Sequence, residues 1–135
     1  MRKDDFKERL YQRNMKAAAS EARSTLRLFL KRLGLPRDYD ITRIPLNPTV
    51  SNKKLDQLTG GPYGYPDFRD EGVECKGPRK DYLTLSQWAR AILEYRSGRP
   101  YKVMWQFSLN KRRIFSDVFK FYKWQTRVLN TKKKK

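Results

Sequence analysis

The chain contains no histidine and only one cysteine, Cys75. Without histidine it lacks the commonest general base, the commonest metal ligand and the usual near-neutral pH switch. A lone cysteine excludes an internal disulfide and a cysteine-rich zinc site. No stretch approaches the ~20 apolar residues that cross a bilayer, so no membrane partner is expected. The N-terminal run MRKDDFKERLYQRN has no apolar signal core, and Asp4, Asp5 and Glu8 are out of place in a transit peptide. Acidic residues are scarce as well. Fourteen Asp and Glu face 32 Lys and Arg, a net charge of +18 on 135 residues.

An excess of that size strains an isolated globule through self-repulsion, and a polyanion relieves it. Its distribution is uneven: residues 1–37 carry a net +7, residues 38–78 a net −2 and residues 79–135 a net +13. Two basic arms therefore flank a mildly acidic middle. The arms are expected to face nucleic acid and the middle to face protein or solvent. A generally soluble basic surface is the plainer alternative, although solubility alone needs a net charge of only ~2–8.

Residues 5–33 read as one long helix. Met15, Ala18, Ala19, Ala22, Leu26, Phe29, Leu30 and Leu33 recur with a 3.6-residue period, and Gly34 and Pro36 end the segment. The opposite face carries Arg9, Arg13, Lys16, Arg23, Arg27 and Lys31, placed for phosphate contact. The first half has few large apolar groups and is expected to project from any core.

Residues 35–83 hold six of the seven prolines and lack a clear periodic element, which predicts an extended, irregular connector. Tyr63, Tyr65 and Phe68 within it call for a surface to pack on. A second helix is signalled at 85–97. Thr84 and Gln87 form a capping box, Leu83 and Trp88 take the staple positions, and Gly98 with Pro100 closes it. Tyr101, Val103, Trp105 and Phe107 alternate with polar or smaller residues as in a short strand, with a turn into a helix as the competitor. Residues 110–129 predict a third helix with Asn110 as N-cap, and Lys132–Lys135 a basic tail. The fold class expected is mainly α: a basic helix (1–34), a Pro/Gly-rich connector (35–83), a helical region (84–130), a lysine tail (131–135), and little compact core.

No catalytic constellation emerges. Asp67, Asp70, Glu71 and Glu74 lie in a Gly/Pro-rich loop without the ligand order of a calcium-binding loop. Cys75 beside Lys76 suggests a lowered thiol pKa, but nothing completes a mechanism. No enzyme activity, cofactor, metal or small-molecule substrate is expected. What remains is binding. Aromatic residues alternate with cations at Tyr95–Arg96, Tyr101–Lys102 and 119–124, with Arg99, Lys111, Arg112 and Arg113 nearby. Cations neutralise phosphates, and rings stack on unpaired bases or simply pack a helix into a core. The stripe at 119–124 is assigned to packing and the arginine-rich faces to phosphate.

The landmarks Leu35-Pro36-Arg37-Asp38, Leu58-Thr59-Gly60-Gly61-Pro62-Tyr63-Gly64-Tyr65, Leu85-Ser86, Arg90, Gly98, Pro100 and Trp105 follow in order. This succession resembles the fourteenth protein of the small ribosomal subunit in its zinc-free bacterial and organellar form. The resemblance implies a seat in the head of the small subunit, wedged into ribosomal RNA, with the long helix and the loop at 58–65 as the main contacts. Arg37, Thr59, Gly60 and Arg90 are counted among the expected RNA-binding residues. The family's basic run before the loop is missing, with Lys53 and Lys54 as nearest substitutes. Its loop arginine is replaced by Gly61, residues 66–83 are an insertion and 106–135 an extension. Such additions are typical of organellar ribosomes. The expected function is therefore a structural constituent of a ribosome, in the small subunit of a mitochondrial ribosome, binding ribosomal RNA beside neighbouring ribosomal proteins. A DNA-binding module and an accessory subunit of a respiratory complex are the alternatives.

Overall fold

The computed structural model describes residues 3–77, 81–108 and 111–129, with side chains from residue 13 onward except those of 107 and 108. Helix α1 runs over Lys3–Arg32. Its alanine and leucine stripe forms the buried face, with Ala18, Ala19, Ala22, Leu26, Phe29, Leu30 and Leu33 out of solvent. Gly34 ends it at φ +75°, a left-handed conformation that a Cβ disfavours. The Gly34 and Leu35 amides then donate to the carbonyls of Lys31 and Leu30, satisfying the last turn.

The segment expected to be an open connector is built into the core. A 3-10 helix spans Ile41–Leu46, capped by the Asp40 side chain, and buries Ile44. Helix α2, Asn52–Thr59, starts at Ser51, whose hydroxyl accepts from the Lys54 amide at 3.1 Å, and buries Leu55 and Thr59. Strand β1 follows at Val73–Lys76. Its alternation was hidden because the inward positions are Glu74 and Lys76 rather than apolar residues.

Helix α3, Leu85–Arg96, carries the Thr84–Gln87 capping box. It returns the chain to strand β2, Lys102–Ser108, which pairs parallel with β1, so the three elements form a β-α-β unit. Strand β3, Lys111–Phe115, pairs antiparallel with β2, giving a three-stranded sheet in the order β1-β2-β3. Helix α4 covers Val118–Gln125, capped by Asp117, and a 3-10 helix at Thr126–Leu129 lies against α1.

Two expectations are corrected here. The fold is an α/β mixture with a small mixed sheet and a substantial core, not mainly helical with little core. The helix predicted over 110–129 is a strand followed by a shorter helix, because pairing with β2 satisfies the backbone of 111–115. Asn110 and the lysine tail lie outside the described residues.

One face of the sheet, with Val103, Trp105 and Phe115, is buried under α3 and α4. Two tryptophans centre the packing. Trp88 stacks on Phe29 at 6.2 Å and meets Tyr122 edge-on at 5.7 Å. Trp105 touches Phe121 and Trp124 at 5.9 and 5.4 Å. Pairs of this geometry contribute ~0.5–1.5 kcal/mol each beyond the area they bury.

Candidate nucleic-acid interface

The burial of one α1 face dictates what the other presents. Arg13, Lys16, Arg27 and Lys31 are exposed, and Arg23 is half-buried beside the Tyr122 hydroxyl. At 1.5 Å per residue the row from Arg13 to Lys31 extends roughly 27 Å, long enough to follow several phosphates. Burial raises the Tyr122 pKa despite the opposing pull of Arg23 and Arg27. The side chain of Arg9 lies outside the described residues.

Arg37 joins this row. It lines a groove with Ser24, Arg27, Leu28, Lys31 and Leu35, about 460 Å³ in volume. Lys53 is exposed on the first turn of α2, and Lys54 bends toward Gly34 at the end of α1. There its charge complements the negative end of the helix dipole. The row, Arg37 and Lys54 thus approach one another at the C-terminal end of α1.

Four of the expected contact residues have partners or a capping role within the fold. Arg96 reaches 44 to 52 residues back and donates to the carbonyls of Ile44, Pro45, Asn47 and Val50, and to Asn52 Oδ1. Arg90 is buried, and its Nη2 donates to the Gly61 carbonyl at 2.8 Å. Its guanidinium lies 4.1 Å from the centre of the Tyr65 ring, with that of Arg69 at 3.6 Å from the same ring. Thr59 is buried, with its hydroxyl 2.6 Å from the Asp56 carbonyl. Gly60 caps α2 at φ +71°. Arg90 and Arg96 turn to backbone carbonyls because the connector folds onto α3, which the spacing of the arginines does not reveal.

The remaining candidates lie on the sheet side. Arg99 is exposed but paired with Glu94. Lys102, Lys111, Arg112 and Arg113 are exposed. Arg113 leans over the Phe115 and Trp124 rings, 4.9 and 5.7 Å from their centres. Beside it runs a stripe of α4 and the following turn: Lys120, Lys123, Trp124 and Arg127. Together they line an open groove of about 660 Å³ with Ile114, Phe115 and Ser116. The stretch at 119–124 is expected to pack, and Lys120, Lys123 and Arg127 are not among the expected contact residues. Their i, i+3, i+7 spacing beside Trp124 was the available signal.

The acidic middle is also resolved. Glu74 and Lys76 are buried together, Lys76 Nζ lying 3.7 Å from Glu74 and 3.0 Å from Gln87 Oε1. Burial raises the Glu74 pKa to about 7, against the pull of Lys76. The thiol of Cys75 is likewise pushed up, by burial and by the carboxylates of Asp67 and Glu74. This corrects the activated thiol suggested by the neighbouring lysine, whose side chain turns to the opposite face of β1. Among the described residues no three potential ligands converge on a metal position. No helix among them is long and apolar enough to cross a membrane.

No match to this chain was found. That holds for protein-family models, for curated proteins and for solved structures alike.

Proposed function

We propose that the protein is an RNA-binding structural constituent of a ribosome, with the small subunit of a mitochondrial ribosome as its seat. The observation that carries the RNA part is the outer row of α1. Arg13, Lys16, Arg27 and Lys31 share one solvent face, and no carboxylate among the described side chains forms an ion pair with them. A helix with an apolar stripe on its own core and such a row outside presents cations at a spacing suited to a phosphate backbone.

The ribosomal seat draws on the order of the landmarks and on their contact. The Gly61–Tyr65 loop and the start of α3 carry the resemblance, and they pack on each other through Arg90 and Gly64. In this reading Arg90, Thr59 and Gly60 hold the loop in shape, and the RNA is met by side chains outside it. Neighbouring ribosomal proteins are assigned to the less basic surfaces.

The test is the salt dependence of binding to ribosomal RNA. Five or more phosphate contacts give a slope of log K against log salt of about −4 or steeper. A flat response overturns the RNA reading. Co-sedimentation then tests the seat, and migration with the large subunit moves it there.

A further inference from the structure

The groove between β3 and α4 has no part in the α1 surface, and its chemistry differs. Arg113, Lys120, Lys123 and Arg127 surround it, and no carboxylate lines it. Its walls include Phe115 and Trp124, so charge and flat apolar surface occur together. At about 660 Å³ it falls within the ~300–1,000 Å³ of sites that enclose a small ligand. We propose that this groove takes an unpaired nucleotide of the RNA, its base against Trp124 and its flanking phosphates on Lys120 and Lys123. The inference rests on the RNA-binding reading and adds to it a preference for single-stranded over duplex RNA.

The geometry favours this occupant for three reasons. A base in a duplex is stacked and paired, so its ring faces are closed to Trp124, whereas an unpaired base offers one. The Arg113 guanidinium lies 4.9 and 5.7 Å from the centres of the two rings, so a flat cationic group stands beside Trp124 at the entrance. Aromatic stacking is indifferent to base identity, so the site selects strandedness rather than sequence. A peptide with acidic side chains alone would use the cations but would leave the flat wall without a matching group.

Tryptophan fluorescence makes the groove directly observable. Trp88 and Trp105 are fully buried, and only Trp124 of the three tryptophans is within reach of a ligand. The full-length protein is titrated with a short oligoadenylate and, at the same salt, with an RNA duplex carrying as many phosphates. The oligoadenylate is expected to quench the emission and the duplex to leave it unchanged. Lys120→Ala with Lys123→Ala, both on exposed side chains, should weaken oligoadenylate binding about tenfold and leave the far-ultraviolet circular dichroism intact. Trp124→Phe should abolish the quenching.

Oligoadenylate binding with steep salt dependence but unchanged emission would overturn the groove assignment and leave the RNA reading standing. Equal quenching by the duplex would overturn it too. An acidic leucine-rich peptide that quenches Trp124 where oligoadenylate does not would give the groove to a protein partner. Absence of any RNA binding would sink both readings together.

Discussion

Arg96 Nη1 donates to the Val50 carbonyl at 2.7 Å, tying helix α3 to a loop 46 residues earlier in the chain. Four further bonds from the same guanidinium fix the 3-10 helix, Asn47 and Asn52. The prolines and asparagines of this stretch leave several carbonyls outside any regular ladder. One planar fork with five donors satisfies them, which an ammonium group cannot do.

Replacing that fork isolates its effect on stability. Arg96→Lys keeps the charge and loses the geometry. It is expected to destabilise the fold by about 2–4 kcal/mol, read as a lower urea midpoint, because carbonyls inside the fold lose their donors. If the lysine variant matches the parent, the arginine does not organise the segment.

Gly64 faces a steric limit. A Cβ built there would lie 2.2 Å from the Ser86 carbonyl oxygen, and the residue sits at φ +84°. Gly64→Ala should cost about 2–4 kcal/mol and loosen the loop from α3. Gly98 has a similar φ of +76° but nothing within 4 Å of its would-be Cβ. Gly98→Ala should therefore cost only the left-handed conformation, about 1–2 kcal/mol. Equal losses in the two variants would refute the close approach at Gly64.

The raised pKa of Glu74 makes stability depend on pH. The carboxyl binds its proton more tightly in the fold, at about 7, than in the unfolded chain, at 4.5. Its favourable contribution is complete below about 4.5 and is lost as the pH rises through about 7. Stability should fall between pH 5 and pH 8 by a few kcal/mol at most. In Glu74→Gln the fall should be much reduced. Denaturant melts across that range decide the matter, and a parent protein that gains stability toward pH 8 contradicts it.

The α1 row should act on RNA affinity alone. Arg13, Lys16, Arg27 and Lys31 are exposed, and alanine maintains the helix. Replacing all four should leave the melting transition in place and reduce the salt slope of RNA binding by about 3. A slope unchanged in this variant would move the interface elsewhere on the molecule.

The net charge was legible from composition alone, and α1 and α3 were legible from the order of residues. Their apolar period, the Thr84–Gln87 capping box and the stop at Gly34 are local signals that act within one or two turns. The exposed arginines and lysines of α1 followed from the same period, since burying one face assigns the other. These features depend only on near neighbours, so the order of residues was enough.

The tertiary structure decided the rest. Residues 111–115 follow a candidate N-cap at Asn110 and lead into an apolar helical period, but a neighbouring strand competes for their backbone and wins. Residues 41–61 are held by contacts with α3 made across dozens of residues, through Arg90 and Arg96. Those arginines looked like phosphate ligands because nothing local distinguishes a guanidinium that will meet a carbonyl from one that will meet water. The sequence by itself determined how much positive charge the protein carries and the helices that begin and end on their own signals. Only the fold decided which cations stay in solvent, because burial depends on distant segments that meet when the core closes.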